Sequence, residues 1–409
     1  MSTENAQPTT DSQPPTSQGQ PELSLQTTPN GKKLLSLDGG GVRGYSSVLI
    51  LQAIMEEVKK IETNGQDDGK ERKPCDYFDL CGGTSTGGLA ALMLFRLEMA
   101  PSAVKTAYED LAPPDLRRAQ EGQPCPKRAI NDLVKKHAVN AQDLEKGGNA
   151  PLLQSDEKKP KMFMCATLED HDNKVLLKSY HVPYDEKAPR EGIKHDFWDS
   201  ITILQAARAT SAAPLYLPKA EYKAHALTDG GLLNNNPIDQ VWDARFDLVE
   251  PRQPAPDVSV VISLGTTRED EKVKLAADHL MLQLYSRTFG KVLEDMVEIG
   301  RNVIDGIATA SQAGGEFIDS LYKVLNFTTN TEARHLDFRR RLYFEQGHGR
   351  QAGTPQTRYY RFDADVPKPI ALDDLAGMRK SLVTETETYL ANEKTQGKIA
   401  ECARLLAKT

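Results

Sequence analysis

The sequence predicts an α/β protein in which helices cover both faces of a mostly parallel central sheet, followed by a mainly helical C-terminal extension. Three observations predict it. Between Leu34 and Leu264, short strand-like apolar runs alternate with longer runs of helical periodicity, a pattern that argues for parallel strands joined through helices. Two glycine-rich turns, Asp38-Gly39-Gly40-Gly41-Val42-Arg43-Gly44 and Gly83-Thr84-Ser85-Thr86-Gly87, each follow a strand-like run and open into a helix. Beyond about Glu269 the texture changes to long amphipathic stretches. The 409 residues, 39% of them hydrophobic, suffice for one large core or a core plus an extension.

Taken in order, residues 1–31 are a polar tail rich in Ser, Thr, Gln and Pro. It has almost nothing to bury and is expected to be disordered. Residues 32–268 hold the α/β domain. Its expected strands are Leu34–Asp38, Tyr77–Cys81, Lys161–Thr167, Val175–Tyr180, Ala224–Thr228 and Val258–Leu264, each a short apolar-rich run. Its expected helices are Ser46–Ile61, Gly87–Met99, Arg128–His137, Trp198–Arg208 and Pro237–Arg245. The stretch from Gly88 to Phe95 is apolar on nearly every face, as a buried helix requires. Residues 269–409 form the extension, with helices at Lys274–Gly290, Val292–Ala310 and Gly315–Val324. Two short strands (Leu342–Phe344, Tyr359–Phe362) and two charged helices within Leu372–Lys408 complete it. The apolar band of Leu275, Leu280, Leu282 and Leu284 reads as packing against the sheet rather than as a lipid-facing surface.

The two turns carry the chemistry. G-x-S-x-G marks a nucleophile elbow, where small flanking residues let the chain turn sharply and leave a serine hydroxyl exposed. Alone it is an ordinary turn. Between an apolar strand and a buried helix it makes Ser85 a candidate nucleophile. The glycine turn also satisfies G-x-G-x-x-G after a strand and before a helix, the setting of a dinucleotide site. That site needs a second strand ending in an acid about 20 residues on, and here residues 62–73 are a charged loop. A phosphate loop would need Gly-Lys-Ser/Thr where Gly44-Tyr45-Ser46 stands. The turn is better suited to acyl chemistry. Its glycines let backbone N–H groups approach a developing oxyanion, and the helix beyond adds its partial positive end. Arg43 either lends charge there or braces the loop.

A serine nucleophile needs a base. Of the histidines after Ser85, none stands in a convincing catalytic setting; His348, in Gln346-Gly347-His348-Gly349-Arg350, reads as a polar loop. Asp229 is better placed. It ends the strand Ala224–Thr228 and is followed by Gly230 and Gly231, which keep the loop small. An unperturbed aspartate, with a pKa of about 3.9, is a poor match for a serine proton unless burial makes it more basic.

With these motifs in order, the chain resembles the patatin-like phospholipases. The resemblance rests on the glycine turn with Arg43, the Gly83–Gly87 elbow, Asp229-Gly230-Gly231, and the block Gln205-Ala206-Ala207-Arg208-Ala209-Thr210-Ser211-Ala212-Ala213-Pro214-Leu215-Tyr216. It spans about residues 33–268. The wording around the motifs is similar to cytosolic, fungal-type members. The resemblance implies the three-layer patatin-like fold and a lipid acyl hydrolase without a catalytic metal or cofactor. It implies Ser85 as nucleophile and Asp229 as base, with the oxyanion held by the N–H groups of Gly40 and Gly41 and assisted by Arg43. Gly39, Gly44, Gly83, Gly87, Gly230 and Gly231 are the motif glycines. Residues 112–161 match less clearly and are where a lid or access surface is expected.

Composition agrees. A net charge of −7, from 51 basic and 58 acidic residues, offers no overall basic field for nucleic acid. The five cysteines lack metal-ligand spacing, and Cys81 and Cys165 are expected as buried free thiols of a reducing compartment. No signal-peptide pattern or membrane-spanning apolar run is evident. The expectation is a cytoplasmic protein in peripheral contact with lipid at a membrane or micelle surface. The alternative is a lipid-binding or signalling module of the same fold with little turnover. A Ser-His-Asp esterase is a narrower alternative.

Overall fold

A parallel strand covered on both faces must bury both, and residues 34–37 of the run Lys32–Leu37 and all of Val258–Leu264 are buried. The computed structural model describes residues 30–111, 127–169, 173–183, 197–213, 217–269, 331–347, 356–366, 370 and 377–408. In chain order its elements are β1 (Lys32–Leu37), α1 (Gly44–Glu62), β2 (Leu80–Thr84), α2 (Thr86–Ala91), α3 (Pro101–Leu111), α4 (Lys127–His137) and α5 (Ala141–Lys146). Then come β3 (Lys161–Leu168), β4 (Asn173–Lys178), α6 (Ile203–Ser211), β5 (Ala220–Tyr222), β6 (His225–Asp229), α7 (Gly231–Asn234) and α8 (Ile238–Asp243). The last are β7 (Val258–Leu264), β8 (Arg268–Glu269), α9 (Thr331–Gly347), β9 (Arg358–Phe362), β10 (Asp365–Val366), α10 (Val383–Ala391) and α11 (Glu393–Leu406).

One 8-stranded sheet runs β5-β6-β3-β2-β1-β7-β9, with β4 also paired to β3. The pairs β1–β2, β1–β7, β2–β3 and β7–β9 are parallel; β3–β4, β3–β6 and β5–β6 are antiparallel. β8 and β10 form a separate parallel pair. Alternating side chains divide between two cores. Leu35, Leu37, Cys81, Met162 and Met164 meet residues of α1, α2, α3, α4, α6 and α11. Leu34, Leu80, Phe163 and Cys165 meet α8 and α9 on the opposite face. This is the expected three-layer α/β arrangement.

Local chemistry sets the element ends. Thr202 caps α6, accepting from the Gln205 N–H while the Gln205 side chain accepts from the Thr202 N–H. Asn140 caps α5 by accepting from the Asp143 N–H. Lys59 and Lys60 occupy the last turn of α1, where the helix dipole favours cations.

Several boundaries differ from expectation. The strand expected at Tyr77–Cys81 is displaced to Leu80–Thr84, because Pro74 starts a helical turn over Pro74–Asp76. Gly82 and Gly83 are strand residues. A Cβ on Gly82 would collide with Phe163 and Val241, so glycine there marks a close approach. The helix expected at Gly87–Met99 stops being α-helical at Ala91 and continues as a wider π-turn over Leu92–Arg96. The helix expected from Trp198 starts at Ile203. The strand expected at Leu342–Phe344 is helix: it lies within α9, whose buried His335, Phe338 and Leu342 recur at helical spacing. β5, α3 and α5 were not expected. The helices expected between Lys274 and Val324, and the tail over 1–29, lie outside the described residues. Among the described residues no helix is long and apolar enough to cross a membrane, and Cys75, Cys81, Cys165 and Cys402 are buried free thiols.

Candidate active site

Strand register brings the serine and the aspartate together. β2 runs parallel to β3 and ends with Thr84 opposite Cys165. β6 runs antiparallel to β3 and ends with Asp229 opposite Ala166, the next residue of β3. The two strands therefore meet end to end along one neighbour. Ser85 Oγ donates to Asp229 Oδ2 at 2.6 Å.

The Asp229 carboxylate is held from both sides. Its second oxygen, Oδ1, accepts from the Gly231 N–H at 2.7 Å, and Asp229 is only 5% exposed. Burial pushes its pKa up to about 6, while the hydrogen bonds from Ser85 and Gly231 pull it down. Gly230 lies against β3, where a Cβ would meet the Cys165 carbonyl. Among the described residues no histidine hydrogen-bonds to Ser85 or Asp229. His335 pairs with the Tyr359 hydroxyl, and His181 lies beside Asp199.

Ser85 takes a backbone conformation that L-residues rarely adopt, with φ 54 and ψ −125. Such strain persists only where the surroundings enforce it. Here a Cβ on Gly83 would run into the Gly87 carbonyl, and one on Gly87 into the carbonyls of Leu37 and Asp38. The elbow is packed backbone against backbone, and half-buried Ser85 projects from it. Thr210 supplies a brace that sequence reasoning left unassigned, although its block was singled out. Its hydroxyl accepts from the Ser85 N–H at 3.0 Å and donates to the Cys165 carbonyl at 2.7 Å.

The glycine turn lies against the serine. A Cβ on Gly39 would come within 3.2 Å of Ser85 Cβ. The Gly39 N–H donates to the Asn235 carbonyl at 2.9 Å, and the Asp38 N–H to the Leu264 carbonyl at 3.0 Å. Gly41 has φ 58, in the region that favours glycine. Neither the Gly40 nor the Gly41 N–H has an acceptor among the described residues. Two free donors beside a serine are what an oxyanion requires. Gly44 packs on Tyr108, whose hydroxyl donates to the Gly41 carbonyl at 2.7 Å. Arg43 folds back on the turn, its Nε donating to the Gly40 carbonyl at 3.4 Å.

Further supports carry no motif of their own. Thr266 Oγ1 donates to the Gly39 carbonyl at 2.9 Å and its side chain fills the space over Gly40. Thr84 Oγ1 donates to the Asn234 carbonyl at 2.6 Å, tying the elbow to α7. Asp38 is buried and paired with Arg361 of β9 at 2.7 Å. Burial lifts the Asp38 pKa to about 7 against the pull of that guanidinium. Among the described residues no cluster of three or more His, Cys, Asp or Glu is arranged to hold a metal ion.

A family model described as patatin-like phospholipase matches residues 35–242, which contain the glycine turn, the elbow, Thr210 and Asp229. Patatin-like protein 2 of Arabidopsis thaliana is 30% identical over 53% of this chain and 54% of its own length. The 85/88 kDa calcium-independent phospholipase A2 of Rattus norvegicus is 26% identical over 66% of this chain and 32% of that protein. Patatin-like protein 1 of Arabidopsis thaliana is 24% identical over 83% of this chain and 85% of its own length. The chain thus spans about half or less of the length of the first two of these relatives. With the family model covering just over half of its 409 residues, the chain belongs to the patatin-like phospholipase family.

Proposed function

We propose that the protein is a serine acyl hydrolase that releases fatty acid from glycerophospholipids or related glycerolipids through an acyl-enzyme on Ser85. The observation that carries the reading is the 2.6 Å hydrogen bond from Ser85 Oγ to a buried Asp229 carboxylate, beside two N–H groups with no acceptor among the described residues. In this reading Ser85 Oγ attacks the ester carbonyl carbon while its proton passes to Asp229 Oδ2. Negative charge collects on the carbonyl oxygen, which the Gly40 and Gly41 N–H groups receive; each such donor is commonly worth about 3–4 kcal/mol in the transition state. Collapse breaks the ester C–O bond, and Asp229 returns its proton to the departing alkoxide. Water then attacks the acyl carbon, again giving a proton to Asp229. Breakdown of this second intermediate frees the fatty acid, and the proton returns to Ser85.

A pKa near 6 suits the task. Asp229 is ionised at neutral pH, yet it is a stronger base than an exposed aspartate. The reading needs no metal, and the rat relative is named as calcium-independent. We place the catalytic unit at residues 32–268, with 269–409 packed on it and lipid met peripherally at a membrane or micelle surface.

The test is fatty-acid release from a panel of phospholipid, lysophospholipid and triacylglycerol in EDTA, comparing wild type with Ser85→Ala. Release by the wild type alone is the expected result and identifies the substrate class. Equal release by both removes Ser85 as nucleophile. No release from any lipid favours a binding module with little turnover.

A further inference from the structure

The glycine turn is gripped from the far end of the chain. Arg361 lies in β9 opposite Ser263 of β7, and Ser263 lies opposite Ser36 of β1. Two small side chains in a row let a long one lie across β7. The guanidinium uses that space: Nη1 donates to Ser263 Oγ at 2.9 Å, and Nη2 reaches Asp38 Oδ2 at 2.7 Å and Asp363 Oδ2 at 2.9 Å. All three charged side chains are almost fully buried.

Each carboxylate leads to the turn by a different route. Asp38 is the residue immediately before Gly39. Asp363 Oδ1 accepts from the Thr267 N–H at 2.8 Å and its carboxyl group abuts Gly265. Between Gly265 and Thr267 stands Thr266, which holds the Gly39 carbonyl and covers Gly40. Arg361 therefore fixes the turn directly through Asp38 and indirectly through Thr266. The network is not built for stability alone. Taking these charges out of water is costly, and among the described residues Asp38 Oδ1 and Arg361 Nε have no hydrogen-bond partner. An apolar cluster of similar shape would hold the strands at lower cost, but it would not anchor a turn at a set angle.

We propose that Arg361 is a positioning residue for the hydrolysis: from a C-terminal strand outside the matched segment 35–242, it aims the Gly40 and Gly41 N–H groups at the developing oxyanion. The proposal rests on the reading of Ser85 and the glycine turn given above. Since misplacement of such groups by about 1 Å costs up to about 100-fold in rate, the effect belongs in kcat rather than in KM.

The experiment compares full-length wild type, Ser85→Ala, Arg361→Gln, Arg361→Lys, Asp38→Asn and the Arg361→Gln/Asp38→Asn double variant on a soluble nitrophenyl ester. Circular dichroism and thermal melting check the fold. The expected result is a kcat lowered roughly 10–100-fold in Arg361→Gln, with KM within about two-fold of wild type. Arg361→Lys restores part of the rate, because it returns the charge without the fork. The double variant loses about as much as the worse single one, as two residues acting as one unit do. Folded Arg361→Gln with unchanged kcat overturns the proposal. So does a loss of rate that only tracks the fraction of protein unfolded. If Arg361→Gln does not fold, Asp38→Asn decides by the same criteria. If wild type and Ser85→Ala turn over equally, the underlying reading fails and the positioning role fails with it; a dead Ser85→Ala beside a fully active Arg361→Gln overturns the positioning role alone.

Discussion

The Asp229 carboxyl titrates near 6 because burial disfavours its charge more than the Ser85 and Gly231 hydrogen bonds favour it. For the proposed chemistry the ionised form is the active one. Turnover of a soluble ester should therefore fall as pH drops through about 6, tenfold per unit well below it, and a limb centred near 4 would show that burial does not tune this group. The stability consequence has the opposite sign. Between the unfolded value of 3.8 and the folded value of about 6, the unfolded chain gives up its proton while the folded one keeps it. The group thus takes nothing from stability below about 4 and progressively more as pH rises to about 6. Above that the loss is on the order of 3 kcal/mol. Asp229→Asn removes the penalty, and its side-chain carbonyl can still accept from Gly231. It should lower turnover at least about 100-fold while melting no lower than wild type at pH 8, and a lower melting temperature would mean that the carboxylate charge stabilises the fold.

At the scale of elements, the elbow and the glycine turn owe their shape to close approach rather than to propensity. Gly87→Ala would drive a Cβ into the carbonyls of Leu37 and Asp38, two backbone groups with nowhere to go. It should abolish fluorophosphonate labelling of Ser85, and a labelled Gly87→Ala would show that the elbow relaxes. Gly397, inside α11, has nothing within 4 Å of where a Cβ would sit. Gly397→Ala should raise stability by up to about 1 kcal/mol, read as a shift in the urea midpoint without change in labelling. The same contrast explains what the sequence made legible. Ser85, Asp229 and the two turns were readable because each sits where a strand-like run ends. β7 was readable to the residue because five of the seven residues of Val258–Leu264 are Val, Ile or Leu, and the other two are serines small enough to be buried among them. Leu342–Phe344 was misread because an apolar-aromatic triplet looks like a strand until Phe338, four residues back, is counted with it. β5, three residues long, has too few positions to show a period. Arg361 left no local signal at all, since its partner Asp38 is 323 residues away in the chain.

Across the whole molecule, the C-terminal segments are part of the same sheet and the same core as the candidate site. β9 extends the sheet beyond β7, and α11 buries Ile399, Cys402 and Leu406 in the core that also holds α1 and α2. Thr386 of α10 donates to Ser46 of α1 at 2.8 Å, and Lys33 Nζ donates to the Leu406 carbonyl at 3.1 Å. A segment so attached should not unfold by itself. Leu406, fully buried, offers a local perturbation far from Ser85 in sequence. Leu406→Ala should cost about 2–5 kcal/mol, the usual range for emptying such a site. Trp198, packed on Phe197 and Tyr222 of the catalytic unit, is the reporter in a Trp242→Phe background, since Trp242 packs on Phe338 of α9. If catalytic unit and extension form one cooperative body, the urea midpoint seen by tryptophan fluorescence falls together with that seen by circular dichroism. Labelling of Ser85 should be lost over the same range. A fluorescence midpoint that stays in place while the dichroism midpoint falls would instead make the extension a separately unfolding unit. Arg361 would then grip the turn from a layer that can detach.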